Sequence, residues 1–151
     1  MISEFKGKYR FLSNFYPCEV PLSHPDDPRD YPSVEHAYQA VKCNNQEFKD
    51  IILTVSAGEA KRLGKICKIR SDWEEVKYYI MARLVFLKFL FNRELRKQLL
   101  DTGDQKLVEG NKWHDNYWGC CNCQRCNIEG QNKLGEILMK VRDKLRNHNE
   151  G

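Results

Sequence analysis

From residue 33 onward the apolar positions fall at helical spacing. Val34, Ala37, Tyr38 and Val41 occupy i, i+3, i+4 and i+7 behind Ser33, a good N-cap preceded by Pro32, which predicts a helix. Phe48, Ile51, Ile52 and Val55 predict a short second helix. Ser56-Ala57-Gly58-Glu59 and Ser71-Asp72-Trp73-Glu74 both carry the capping-box pattern. The first opens a helix with Ala60 and Leu63. The second opens the longest helix, with Val76, Ile80, Leu84 and Leu87 in register and an end near Asn92. Arg93 to Leu100 predicts a further helix, stopped at Thr102-Gly103. Leu134, Ile137, Leu138, Val141 and Leu145 form one apolar stripe, the clearest helical signal in the chain.

The N-terminal part patterns differently. Phe5-Lys6-Gly7-Lys8-Tyr9-Arg10-Phe11 alternates at period two and predicts a strand with Phe5, Tyr9 and Phe11 on one face. All five prolines lie between Pro17 and Pro32, so that stretch reads as a loop, with a second short strand near Glu19-Val20. Six helices and one to three short strands make the expected class mainly α (α+β): a multihelical chain with a small N-terminal β element. No repeat or linker divides it, so residues 1–151 read as one domain.

Composition narrows the class further. With 41% hydrophobic and 30% charged residues in 151, the chain is neither disordered nor membrane-spanning. The first residues have no apolar h-region, which predicts a cytoplasmic, reducing setting in which the seven cysteines are thiols or metal ligands. The net charge of +4 suits a phosphate-bearing ligand without marking a nucleic-acid binder. Lys140, Arg142, Lys144 and Arg146 read as a solvated helix face, and Cys18, Cys43 and Cys67 as small buried residues.

Three places could carry chemistry. Glu35, Gln39 and Lys42 share one face of the first predicted helix. Spacing alone favours a solvated stripe, although the exposed amides and dipole of a first helical turn favour a carboxylate or an incoming anion. Trp113-His114-Asp115-Asn116-Tyr117-Trp118-Gly119 surrounds one carboxylate with aromatic rings; it reads equally as an anchored loop or as a stacking wall beside an acid/base group. Cys120-Cys121-Asn122-Cys123-Gln124-Arg125-Cys126 contains one C-x-x-C. Cys120, Cys121, Cys123 and Cys126 make a candidate zinc set, with His114 an alternative fourth ligand; a reversible disulfide or plain thiols stay open. The phosphate-loop, dinucleotide-fingerprint, nucleophile-elbow and H-E-x-x-H signatures are missing.

Taken together, several stretches resemble the NADAR (YbiA-like) family. They are Phe11 to Phe15, Ser33 to Lys42, Ala60 to Gly64, Trp73 to Met81, Lys88-Phe89, Leu107 to Glu109, Asp115 to Gly119 and Gly130 to Met139, in family order over nearly the whole chain. The resemblance implies a compact, mostly helical fold and an N-glycosidase. Its substrates would be ADP-ribose attached to guanine in nucleic acid or early phosphoribosyl-amine intermediates of riboflavin synthesis. It implies Glu35 and Asp115 as the carboxylate pair, and Asn14, Phe15, Tyr38, Lys42, Lys61, Trp118 and Gly119 as substrate-binding residues. No cofactor is expected for catalysis, no membrane is involved, and no protein partner can be inferred. Trp73, just after a helix cap, reads as core. The four-cysteine loop departs from family members that are glycine-rich there. Two other classes compete: a non-catalytic ADP-ribose or NAD-binding module using the same aromatics and lysines, and a metal-organised nucleic-acid-binding module built on the cysteine loop.

Overall fold

The computed structural model describes residues 1–22 and 26–150, the last two of these by backbone alone. Part of the expected proline-rich loop, residues 23–25, therefore lies outside the described residues. Two compact units make up the chain. One runs from Asn14 to Asn92; the other joins Met1–Ser13 to Arg93–Gly151.

The mid-chain unit begins with a two-stranded antiparallel ribbon, β1 (Val20–Pro21) and β2 (Asp30–Tyr31), in which Val20 faces Tyr31. Four helices follow: α1 (Val34–Cys43), α2 (Gln46–Ile52), α3 (Ala57–Gly64) and α4 (Trp73–Phe91). Helix α1 packs against each of the other three. The predicted caps act at α1 and α3, where the Ser33 and Ser56 hydroxyls accept from the His36 and Glu59 amides. The capping box predicted at Ser71 does not form. Asp72 precedes α4 without a side-chain cap, because its carboxylate is drawn to the Arg70 guanidinium at 2.6 Å. Trp73, Met81, Leu84, Val85, Leu87 and Phe89 are buried along α4, Trp73 in the core as expected, whereas Val76 and Ile80 are only half-buried.

In the terminal unit, Gly7–Leu12 forms a 3-10 helix where a strand is predicted. Gly7 sits at φ +58, which turns the backbone out of the extended path, and Phe11 and Leu12 are then buried as neighbours instead of alternating. Helix α5 (Arg93–Asp101) packs on α6 (Lys133–Glu150), and the parallel strands β3 (Gly110–Asn111) and β4 (Cys120–Cys121) pair between them in sequence. The α6 stripe is the core predicted for it: Leu134, Ile137, Leu138, Val141 and Leu145 are all buried, each contributing roughly 2 kcal/mol of transfer free energy.

Two expectations are corrected. Arg142 is buried, not solvated; its guanidinium donates to Thr102 Oγ1 at 2.9 Å and to the Gln105 carbonyl at 2.8 Å, and burial lowers its pKa. Cys43 and Cys67 are not isolated thiols but form a disulfide, with Cα atoms 6.1 Å apart across 24 residues. The end of α1 and the segment trailing α3 lie side by side, a closeness that spacing along the chain does not reveal.

Candidate active site

In the mid-chain unit, several candidate side chains gather around the first turn of α1. Ser33 Oγ caps this turn and meets His36 Nδ1 at 2.6 Å, while His36 Nε2 lies 2.7 Å from the Val55 carbonyl. A carbonyl only accepts, so Nε2 carries a proton, and in the neutral ring Nδ1 accepts from the hydroxyl. His36 thereby ties the start of α1 to the approach to α3.

This tie presents Glu35 and Gln39 to the interior. Expected on a solvated stripe, they are in fact 6% and 4% exposed. The reason is α3, which ends in Gly64 directly on Gln39; a Cβ at Gly64 would overlap the Gln39 amide. Glu35 Oε1 accepts from Gln39 Nε2 at 2.8 Å, and the Glu35 amide donates to the Asn14 carbonyl at 3.0 Å. Lys42 is half-buried on the same helix. Burial pushes its ammonium below the usual lysine value, and the Glu35 carboxylate works against that push. A buried carboxylate that receives one amide donor and lies in the field of an ammonium can stabilise a cation or take a proton from water.

The segment that meets Glu35 also carries an open ring. Asn14 donates to Met81 Sδ at 3.4 Å, and Phe15, next to it, is 41% exposed with Lys61 Nζ 5.8 Å from its ring centroid. An exposed ring beside a cation suits a planar group that carries phosphate. Tyr38 differs: it is buried, its ring 4.9 Å from that of Trp73, so it packs in the core. Lys88, part of a family-like stretch but given no role from the sequence, is wholly buried in α4. Its ammonium lies 5.8 Å from the Tyr16 ring centroid, and burial lowers its pKa to about 8. The available signal was a lysine inside the otherwise apolar run Leu84 to Leu90.

In the terminal unit, asparagines build the aromatic loop. Asn111 Oδ1 accepts from the Trp113 and Asp115 amides, and its Nδ2 donates to the Asp115 carbonyl at 2.8 Å. Asp115 Oδ1 accepts from the Tyr117 and Trp118 amides at 3.1 and 2.9 Å, an Asx-type turn that sets the two rings edge to face, 4.7 Å apart. The carbonyls of Tyr117, Trp118 and Gly119 then receive the Lys133, Leu134 and Asn132 amides, so the loop caps the start of α6. Asn132 completes the frame, donating to the Leu107 carbonyl and accepting from the Glu109 amide. Asn111, Asn116 and Asn132 were missed as organisers; their signal was residue type alone, since asparagine favours such turns.

On either side of the Asp115 to Cys120 stretch, the ligand atoms of His114, Cys121, Cys123 and Cys126 all lie within 4.8 Å of one another. Three members of the expected cysteine set are in this group, and His114 stands where Cys120 was expected. Hydrogen bonding from the Cys121 thiol lowers the Cys123 pKa to about 6, while Cys126, bonded to Cys123 and Cys121, is pushed up to about 11. These residues could hold a metal ion.

Glu35, Asn14, Phe15, Tyr38, Lys42 and Lys61 thus belong to the mid-chain unit, and Asp115, Trp118, Gly119 and the cysteines to the terminal unit. No helix among the described residues is long and apolar enough to cross a membrane.

Comparison with known proteins bears on the family and the fold. The NADAR domain matches residues 3–146. The chain is 39% identical over 145 residues to an N-glycosidase of Nostoc punctiforme, covering 92% of this chain and 87% of that one. It is 34% identical over 142 residues to the N-glycosidase YbiA of Escherichia coli, covering 91% and 82%. A riboflavin biosynthesis protein of Vibrio vulnificus is 38% identical over 141 residues, but the match spans only 36% of that longer protein. The NMR structure of E. coli YbiA superposes with a TM-score of 0.80 at 30% identity, over 99% of this chain and 89% of that one.

Proposed function

Because the chain belongs to the NADAR family and is a hydrolase of N-glycosyl compounds, we propose that it cleaves the bond between a phosphorylated ribose and a planar base, with Glu35 as the principal catalytic carboxylate. The observation that carries this reading is the burial of Glu35 in the first turn of α1 under the Gln39 amide, with Lys42 on the same helix.

Hydrolysis builds positive charge on the ribose as the C1′–N bond lengthens. The Glu35 carboxylate stabilises that charge and receives the proton of the water that adds at C1′. The departing nitrogen takes up one proton in exchange. Phe15 offers its exposed face to the base, Lys61 and Lys42 attract phosphate, and Asn14 hydrogen-bonds a ribose hydroxyl. Asp115 is the second functional carboxylate. Its Oδ1 holds the turn that carries Trp118, which leaves Oδ2 for a proton or a hydroxyl. No step uses a cofactor.

Two substrates satisfy this chemistry: a phosphoribosyl-amino-pyrimidine of the riboflavin route and ADP-ribosylated guanine in nucleic acid. The match to part of proteins named for riboflavin biosynthesis supports the first.

The test incubates wild type and Glu35→Gln with each substrate and identifies products by chromatography and mass spectrometry. Wild type is expected to release the free base, with kcat lowered roughly a hundredfold to ten-thousandfold in the variant. Wild-type turnover by Glu35→Gln would refute the role of Glu35. Tight ADP-ribose binding with no product from either substrate would mark a binding module instead.

A further inference from the structure

The cysteine loop has a geometry that hydrolysis of an N-glycosidic bond does not call for. His114 Nδ1 lies 3.3 Å from Cys126 Sγ, 3.4 Å from Cys123 Sγ and 3.7 Å from Cys121 Sγ. A tetrahedral zinc with bonds of about 2.3 Å to sulfur and about 2.0 Å to nitrogen sets its nitrogen–sulfur edges at about 3.5 Å. The three distances bracket that value. The four ligand atoms all fall within 4.8 Å of one another, so they converge on one point of the loop.

The backbone is arranged around this convergence. His114 adopts φ +69, a left-handed conformation uncommon outside glycine, and its ring faces the three sulfurs. Pairing of β3 with β4 fixes Cys121, whose amide donates to Asn116 Oδ1 at 2.9 Å, and the Asn122 amide donates to the Asn111 carbonyl at 2.8 Å. Cys120 precedes Cys121 in the strand and is not a member of the group, as the alternation of side chains along a strand requires.

We propose that His114, Cys121, Cys123 and Cys126 bind one Zn2+ in a closed structural site that fastens the loop between Asn111 and Cys126. Three thiolates and one imidazole nitrogen fill four tetrahedral positions and leave none for substrate, which makes the role structural. Soft sulfur donors in a tetrahedron select zinc over magnesium or calcium. Binding exchanges thiol protons for the metal: up to three protons leave as three sulfur–zinc bonds and one nitrogen–zinc bond form, with no change of oxidation state. The ion closes a bracket around Asp115 to Cys120, because His114 lies just before that stretch and the cysteine ligands just after it. This inference does not depend on the glycosidase reading.

The experiment uses the untagged full chain purified under reducing conditions. Elemental analysis is expected to find about one zinc per chain. Stripping the metal with a chelator and adding Co2+ is expected to give the strong visible absorption of tetrahedral cobalt with thiolate ligands, abolished by Zn2+. His114→Ala and Cys123→Ser should reduce bound zinc to background, and Cys120→Ser should keep it at the wild-type level. Where a variant fails to fold, stripping and reloading the wild-type chain answers the same question, because tryptophan fluorescence from Trp113 and Trp118 should change with the metal. A folded, reduced, metal-free chain that takes up neither ion would overturn the proposal. So would iron with labile sulfide, or loss of zinc in Cys120→Ser with retention in His114→Ala.

Discussion

Asn132 joins three parts of the terminal unit, and its replacement tests whether that frame holds the aromatic loop. Its Nδ2 donates to the Leu107 carbonyl at 2.9 Å, its Oδ1 accepts from the Glu109 amide at 3.0 Å, and the residue is 8% exposed. Asn132→Ala leaves the buried Leu107 carbonyl and the half-buried Glu109 amide without these partners. A buried orphan costs about 1–3 kcal/mol and a bond nearer water about 1 kcal/mol, so the loss is about 2–4 kcal/mol. Backbone conformation adds to it. Asn132 sits at φ +51, where alanine is strained by about 1 kcal/mol and glycine is not. Asn132→Gly should therefore lose the same two bonds yet be about 1 kcal/mol more stable than Asn132→Ala. Urea unfolding followed by circular dichroism measures both. For a chain of this length, each kcal/mol lowers Tm by about 2–4 °C, so Asn132→Ala should melt roughly 6–20 °C early. Stability of Asn132→Gly equal to wild type would refute the argument, because it would mean that the side-chain bonds contribute nothing.

Two other expectations concern the mid-chain unit. Reducing the Cys43–Cys67 bridge should cost about 3 kcal/mol through the longer reach of the unfolded chain, seen as a lower Tm in reductant; an unchanged Tm, or two free thiols by mass spectrometry, would refute it. Burial lowers the pKa of Lys88 from 10.5 to about 8, so between these values the unfolded chain binds the extra proton and native stability rises with pH. Relative to Lys88→Met, wild type should gain up to about 3 kcal/mol from pH 8 to pH 10.5, and a constant difference in denaturant midpoints across that range would sink the assignment.

Much of the helical frame was legible because its signals are local. Ser33 and Ser56 cap within three residues, and the α6 stripe repeats within one helix. What failed depended on partners far along the chain. Spacing placed Glu35 and Gln39 on one face but could not show that Gly64 closes over it. Arg142 looked solvated because its acceptors, Thr102 and Gln105, lie 40 and 37 residues away. The N-terminal alternation suggested a strand, and one glycine at positive φ turned it into a 3-10 helix. At the cysteine loop, residue types pointed to a metal set, but strand alternation and the turn at His114 decided its membership.

The close approach of Gly64 to Gln39 has a consequence for the direction of a dipole. The Gln39 Oε1 atom is buried without a hydrogen-bond partner, and it faces the side of Gly64 on which any other residue would carry a Cβ. Only hydrogen on carbon stands there, a weak donor that tolerates an oxygen and offers nothing to an NH2 group. The amide is thereby oriented with its oxygen toward Gly64 and its nitrogen toward Glu35. Turned end for end, it would set oxygen against a carboxylate oxygen. The donor that meets the carboxylate is thus selected by a position in another helix that has no side chain at all.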